Sequence, residues 1–299
     1  MNMNLIKKTG LIASVVLVSG VMVHAVSSEK IKEKTAMVNA NYFPTEVDFA
    51  GEKTPLHIAD VKERFDRELL VNANLDASTL LIIKRANRAF PIIEPILKKN
   101  GVPDDFKYLA VAESALMNAT SSAGAKGFWQ FMPATAKEYG MEVNEIVDER
   151  YHLEMSTEAA CKYLLSAYKK FGSWTLAAAS YNGGFGGVNK QITFQGETNY
   201  YDLLLTDETA RYVFRILALK EIMKNPVQYG FTVNPTELYP LIPTKKIEVD
   251  SSITDLAVFA KSQGINYKIL KIHNPWLRDR KLTNATKKKY VFEIPTEGY

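Results

Sequence analysis

The sequence predicts a mainly α fold, a large helical domain followed by a small α+β module, and three observations carry that reading. Apolar residues recur at helical spacing from about His57 to Asn225, as in Val61, Phe65 and Leu69 or in the segment Ile93 to Leu97. No strand-like alternation of comparable length interrupts them. After Pro226 the pattern changes: "KKIEVD" and "KKYVFEIP" alternate like strands and bracket two short helical segments, "ITDLAVFAKSQGI" and "YKILKIHNPWL". With 299 residues, 46% hydrophobic and 11% aromatic, the chain can bury one large core and a smaller one.

The elements follow in chain order. Residues 1–25 read as an export signal: "MNMNLIKK" is basic, "GLIASVVLVSGVMV" is an uncharged apolar run, and "VHA" at Val23 to Ala25 fits a cleavage site. The run is short for a spanning helix, so removal near Val26 and a periplasmic location are expected; a retained membrane anchor is the alternative. Residues 26–57 are polar and unpatterned and read as a spacer with little fixed structure. The helical domain spans 58–235. Within it "KNGVPDDFKYLAVAESAL" holds a junction, where Asn100 and Gly101 end one helix and Pro103, Asp104 and Asp105 start the next. "ARYVFRILALKEIM" closes the domain, and the small module spans 244–296.

Several function classes are excluded. A formal net charge of +4 gives no reason to propose nucleic acid as a partner. The one run of like charge, Lys287 to Lys289, reads as a solvated turn. His57, His152 and His273 are scattered without ligand spacing, and no nucleotide fingerprint is present, so neither a metal nor a cofactor is expected. The single cysteine, Cys161, falls at helical spacing with Leu164, Leu165 and Tyr168 and reads as a buried structural thiol. Nothing in the sequence specifies an oligomeric state.

Glu113 stands out. Phe106, Leu109, Glu113 and Leu116 form one helical stripe, and a carboxylate on an apolar face either pairs with a cation or stays protonated with a raised pKa, which makes a general acid. The small and polar run "NATSSAGAKG" cannot continue that helix, so the chain turns and brings Trp129, Gln130 and Met132 back towards the carboxyl before Pro133 opens the next helix. Such a mixture of apolar and polar groups suits a saccharide, with Phe128 and Phe131 reading as core. "SYNGGFGG", Ser180 to Gly187, makes poor helix and reads as a loop that frees Tyr181 and Asn182 to face a cleft. There the Tyr181 hydroxyl is placed to hydrogen-bond the carboxyl.

Taken together, "AVAES", "GAKGFWQFMPATA", "SYNGG" and "DETARYVFRILA" occur in the order and approximate spacing of the soluble-lytic-transglycosylase type of catalytic domain. The chain resembles that family, most closely its membrane-bound lytic murein transglycosylase D group. The resemblance implies a lysozyme-like helical domain whose sole catalytic acid and base is Glu113, acting on peptidoglycan glycan strands. Gln130, Met132, Tyr181 and Asn182 would line the saccharide cleft, and Glu208 would support it. A serine of the small-residue loop would touch substrate: counting back from Gly124 favours Ser121, counting forward from Glu113 favours Ser122.

The family reaction forms 1,6-anhydromuramyl ends without consuming water; a hydrolysing muramidase and a non-catalytic wall-binding protein are the alternatives. The C-terminal module resembles a LysM domain, a βααβ unit that binds N-acetylglucosamine-containing glycans, although "DSSITDL" replaces the usual Gly-Asp-Thr. It is either a glycan binder, with Trp276 of "HNPWL" as its aromatic, or a structural appendage.

Overall fold

The computed structural model describes residues 42–298; the export segment and the spacer through residue 41 lie outside the described residues. The chain divides into two units. The smaller one includes residues 42–44 and 225–232, where the rings of Tyr42 and Tyr229 meet edge-on with centroids 5.5 Å apart. The larger unit, residues 45–224 with 233–299, carries the elements that follow.

The spacer reading fails from residue 45 onward. A two-stranded hairpin, β1 (Asp48–Phe49) and β2 (Glu52–Lys53), inserts Phe49 into the core edge-on against Phe106 at 5.0 Å. Two polar anchors fix it. Lys220 is 6% exposed and donates to the Asp48 carbonyl at 2.7 Å and to Asp105 at 2.6 Å. Glu52 accepts from the backbone N–H groups of Trp174 (2.6 Å) and Thr175 (2.9 Å), and from the hydroxyl of Ser173 (2.8 Å). That carboxylate caps a helix N-terminus, where orphan donors and the helix dipole both favour negative charge. Glu52→Ala is therefore expected to cost about 1 to 3 kcal/mol in urea denaturation, with the midpoint lowered and the m-value unchanged.

The helices are α1 (Ala59–Ala73), α2 (Asp76–Asn100), α3 (Lys107–Ser114), α4 (Pro133–Glu138), α5 (Leu153–Phe171), α6 (Trp174–Gly183), α7 (Phe185–Gln195) and α8 (Asp207–Lys224). As the sequence predicts, Gly101 ends α2 in the left-handed region at φ 70°, and Pro103 leads through a 3-10 turn into α3. Helix α2 runs through Pro91 and Pro95, both on its exposed side opposite the fully buried Ile93 and Leu97, where the carbonyls left unbonded can be hydrated. Helix α6 is the centre: Ala177, Ala178 and Ala179 are fully buried, and side chains this small let α5 and α8 pack closely on it. Cys161 is buried in α5 with its thiol pushed up to about 12 by desolvation, in keeping with a structural role.

The C-terminal module is the expected strand, two helices and a strand: β3 (Thr244–Val249), α9 (Leu256–Ser262), α10 (Tyr267–His273) and β4 (Tyr290–Pro295). The strands pair antiparallel from Thr244↔Pro295 to Val249↔Tyr290. Asp255 and Asn266 cap the two helices through their side chains. The module shares its core with the helical domain, because Val147 packs among Leu256, Leu270, Leu277, Phe292 and Ile294.

Two readings of this module are corrected. Trp276 is 3% exposed, stacked on Tyr290 at 5.5 Å and near the His152 ring at 6.2 Å, so it is a core side chain that offers no ring face to a sugar. Nor is the lysine run merely solvated: Lys288 pairs with Glu142 at 2.8 Å and with the buried Glu149 at 2.7 Å. Among the described residues no helix is long and apolar enough to cross a membrane, and no cluster of residues could hold a metal ion.

Candidate active site

Helix α3 is short because the sequence after Glu113 breaks it. Ala115 and Leu116 both adopt left-handed backbone, φ 51° and 56°, a conformation that costs non-glycine residues roughly 1 to 2 kcal/mol each. The apolar stripe therefore ends at Ser114, and Leu116 reaches the core from beyond the helix. The chain turns immediately after the carboxyl, as "NATSSAGAKG" requires.

Glu113 is half-buried, accessible yet enclosed by protein, and its carboxyl is raised from 4.5 to about 7. Burial is the main cause. A hydrogen bond from Tyr212 and the charge of Arg215 partly offset it, and the negative Glu208 adds to it. Among the described residues no lysine or arginine lies at ion-pair distance from Glu113. The contrast is Glu68, 1% exposed, which pairs with Arg211 at 2.6 Å, Arg67 at 3.3 Å and Arg215 at 3.7 Å. Of two enclosed carboxylates, one is matched to guanidinium groups and the other is left free to exchange a proton.

The phenol that holds Glu113 is Tyr212 of α8, whose hydroxyl donates to Oε1. The sequence reading assigned that bond to Tyr181. Its hydroxyl instead donates to the Trp129 carbonyl at 2.8 Å. Both hydroxyls titrate well above 10, first through burial and next through the negative charge of Glu113, so both stay protonated and both lie within its field. Tyr212 was missed, although it follows Glu208 by one helical turn inside "DETARYVF", a spacing that puts the two on one face.

The loop reading of "SYNGG" is also corrected. Ser180 to Gly183 form the last turn of α6, and Phe185 to Gly187 open α7; Gly184 alone, at φ 72°, breaks the path. Gly183 lies under Thr209, where an added Cβ would meet the threonine side chain at 3.0 Å, so a glycine suits this helix end for packing and not for a loop. Tyr181 and Asn182 are thus on a helix end; Asn182 accepts from the Thr209 hydroxyl at 2.8 Å. Glu208 is exposed at the start of α8 and held by Arg215 at 3.1 Å.

The turn after α3 is a compact loop closed by the bridges Thr120↔Lys126 and Lys126↔Phe131. Ser121 is tied into it: its hydroxyl accepts from Ala125 N at 3.0 Å, while Ser122 is exposed. Gln130 sits at φ 48°, and its amide donates to the carbonyls of Gly127 (2.7 Å) and Ala119 (3.2 Å). Met132 is 42% exposed. Trp129, expected near the carboxyl, is fully buried with its indole N–H on Thr157 at 2.9 Å, and is core. Phe131 is core as expected and Phe128 is half-buried. Because the Trp129 carbonyl receives the Tyr181 hydroxyl, the Gln130–Met132 strip begins one residue from that bond.

The half-buried Glu113, the buried Tyr212, the half-buried Tyr181 and the fixed loop thus come together beside an accessible surface. Residues 90–204 match the Transglycosylase SLT domain family, and residues 245–298 match the soluble lytic transglycosylase C-terminal LysM-like domain family. The chain therefore carries an SLT transglycosylase domain followed by a LysM-like domain. It is homologous to the membrane-bound lytic murein transglycosylase D of Escherichia coli K12, with 33% identity over 201 residues that cover 65% of this chain and 44% of that protein. A putative tributyltin chloride resistance protein of Alteromonas sp. strain M-1 is 31% identical over 114 residues, covering 36% of this chain and 55% of that one. Among solved structures, the 70 kDa soluble lytic transglycosylase SLT70 of Escherichia coli superposes with a TM-score of 0.38 at 20% identity, covering 50% of this chain and 26% of that one.

Proposed function

We propose that this chain is a peptidoglycan lytic transglycosylase in which Glu113 is the single general acid and base. The observation that carries the reading is the carboxyl raised to about 7, with no cation at ion-pair distance among the described residues, gripped by a buried phenol beside the Gly124–Met132 loop. A group with that pKa is half protonated at neutral pH and can give a proton and take one back.

Protonated Glu113 donates to the oxygen that links C1 of N-acetylmuramic acid to its N-acetylglucosamine neighbour, and the C1–oxygen bond breaks. The resulting carboxylate takes the proton from the muramyl C6 hydroxyl as that oxygen bonds to C1. The product is a 1,6-anhydro ring, Glu113 ends protonated as it began, and no water is consumed. Tyr212 steadies the ionised form between the two transfers. Gln130, Met132, Tyr181, Asn182 and either Ser121 or Ser122 contact the saccharide, with Glu208 supporting the cleft. The catalytic domain, 58–235 in the sequence, also takes in the hairpin 48–53 that packs into its core, the LysM-like module spans 244–296, and a peptidoglycan substrate implies work outside the cytoplasmic membrane.

Incubating the full chain with purified peptidoglycan tests the reading: soluble anhydromuropeptides are expected, reducing muramic ends would indicate a muramidase, and no release would indicate a binding protein. Activity should fall about tenfold per unit above pH 7, because the first step needs the protonated acid. Tyr212→Phe removes a hydrogen bond that lowers the Glu113 pKa, so this alkaline limb should move to higher pH while the rate at the optimum falls about 10- to 100-fold. An unmoved limb would show that Tyr212 does not act on Glu113.

A further inference from the structure

The loop that flanks Glu113 buries Trp129 and Phe131, and its small and polar remainder is held through its carbonyls and hydroxyls. Arg150, 3% exposed, donates from one guanidinium nitrogen to the carbonyls of Gly124 (3.0 Å) and Phe131 (3.1 Å), one at each end of the loop's second half. Its other nitrogens grip the buried Asp148 in bidentate fashion at 2.8 and 2.7 Å. The hydroxyls of Tyr151 and Thr120 are 3.0 Å apart, which ties down the first half. Residues 148–151 are thus the frame of the loop.

That frame is in turn held by the C-terminal module. The Asp148 N–H donates to the Trp276 carbonyl at 2.9 Å and the Arg278 N–H to the Ile146 carbonyl at 2.8 Å, so residues 146–148 lie along 276–278 like a short strand pair. Two side chains complete the attachment. The Arg278 guanidinium lies over the Tyr151 ring at 4.2 Å, and Lys288 reaches Glu149, which is 2% exposed and has no other cation at ion-pair distance among the described residues. Glu149 also accepts from Glu142 N at 2.6 Å, and Tyr290 donates to Glu142 at 2.9 Å. A flexibly tethered binding module would not spend buried charges on this contact.

We propose that the LysM-like module is a brace for the cleft loop, with Lys288 and Arg278 as positioning residues that act through Glu149 and Tyr151. Truncating Lys288 leaves the Glu149 carboxylate enclosed and unmatched, which loosens the 148–151 frame and with it the carbonyls that Arg150 holds. The kinetic consequence rests on the transglycosylase reading; the mechanical one does not.

Hydrogen exchange on the full chain tests it. In Lys288→Gln and in Arg278→Gln, amides of residues 119–131 should exchange about tenfold faster or more while those of α6 and α8 keep their protection. Lys288→Arg should restore the wild-type rate, and Lys289→Gln, which breaks only the exposed pair with Glu248, should leave it unchanged. On peptidoglycan, Lys288→Gln should lower kcat with KM for the insoluble substrate little altered, the reverse of what a lost binding module gives. If the loop exchanges within about twofold of wild type in both variants, the brace is disproved. Faster loop exchange in a protein that proves inactive on peptidoglycan would keep the brace and remove the transglycosylase reading.

Discussion

Glu113→Gln is expected to lower turnover by more than about 10³-fold, at or beyond the upper part of the range for general acid catalysis, because one residue serves both proton transfers. The same change should stabilise the protein. The carboxyl titrates near 7 when folded against 4.5 when free, so the unfolded chain loses its proton first as pH rises. Below 4.5 the two states bind the proton alike; between 4.5 and 7 stability declines, and above 7 the whole penalty is present. A shift of this size corresponds to about 3 kcal/mol, an upper figure for a partly exposed group. A neutral amide escapes it, so the difference in unfolding free energy between Glu113→Gln and wild type should be near zero at pH 4 and grow to about 2 to 3 kcal/mol at pH 8. Urea denaturation at the two pH values reads it directly, and equal differences at both would mean that Glu113 is not held protonated by the fold.

Gly127→Ala is expected to be the most damaging single change in stability, about 3 to 5 kcal/mol. Gly127 sits at φ 83°, and an added Cβ would lie 1.9 Å from the Arg150 carbonyl oxygen. That atom is backbone of the loop's frame and has no rotamer to turn away, so the loop or the frame must shift. Gly124→Ala is the control: its φ of 86° carries the same strain but nothing lies within 4 Å of the new methyl, and about 1 kcal/mol is expected. Similar losses from both substitutions would mean that backbone strain alone, and not close packing against Arg150, fixes the loop.

The helical domain was legible where one strong local rule decided it. Asn100-Gly101 and Pro103-Asp104 punctuate the chain in the structure as their chemistry demands, and the alternation in "KKIEVD" and "KKYVFEIP" finds its partner strand in each other. Reading failed where a long-range contact overrode local propensity. The Gly-rich "SYNGG" ends a helix, and Gly183 falls where an added Cβ would crowd Thr209, 26 residues further on. The polar hairpin at 48–53 is ordered by Lys220 and Asp105, and no window of sequence contains all three. Trp276 reads as a binding aromatic only until Tyr290 and His152 are seen against it. Glu113 could be singled out because a carboxylate on an apolar stripe is conspicuous, whereas its phenolic partner, 99 residues away, is marked only by its helical spacing from Glu208 and by nothing that links it to Glu113.

The central claim, that one carboxyl passes a proton to the glycosidic oxygen and recovers it from the muramyl C6 hydroxyl, has a direct chemical signature. Digesting purified peptidoglycan in water enriched in oxygen-18 and weighing the soluble muropeptides reads it. Muramyl ends that are 1,6-anhydro and carry no heavy oxygen are the predicted result; reducing ends labelled with one oxygen-18 would contradict it.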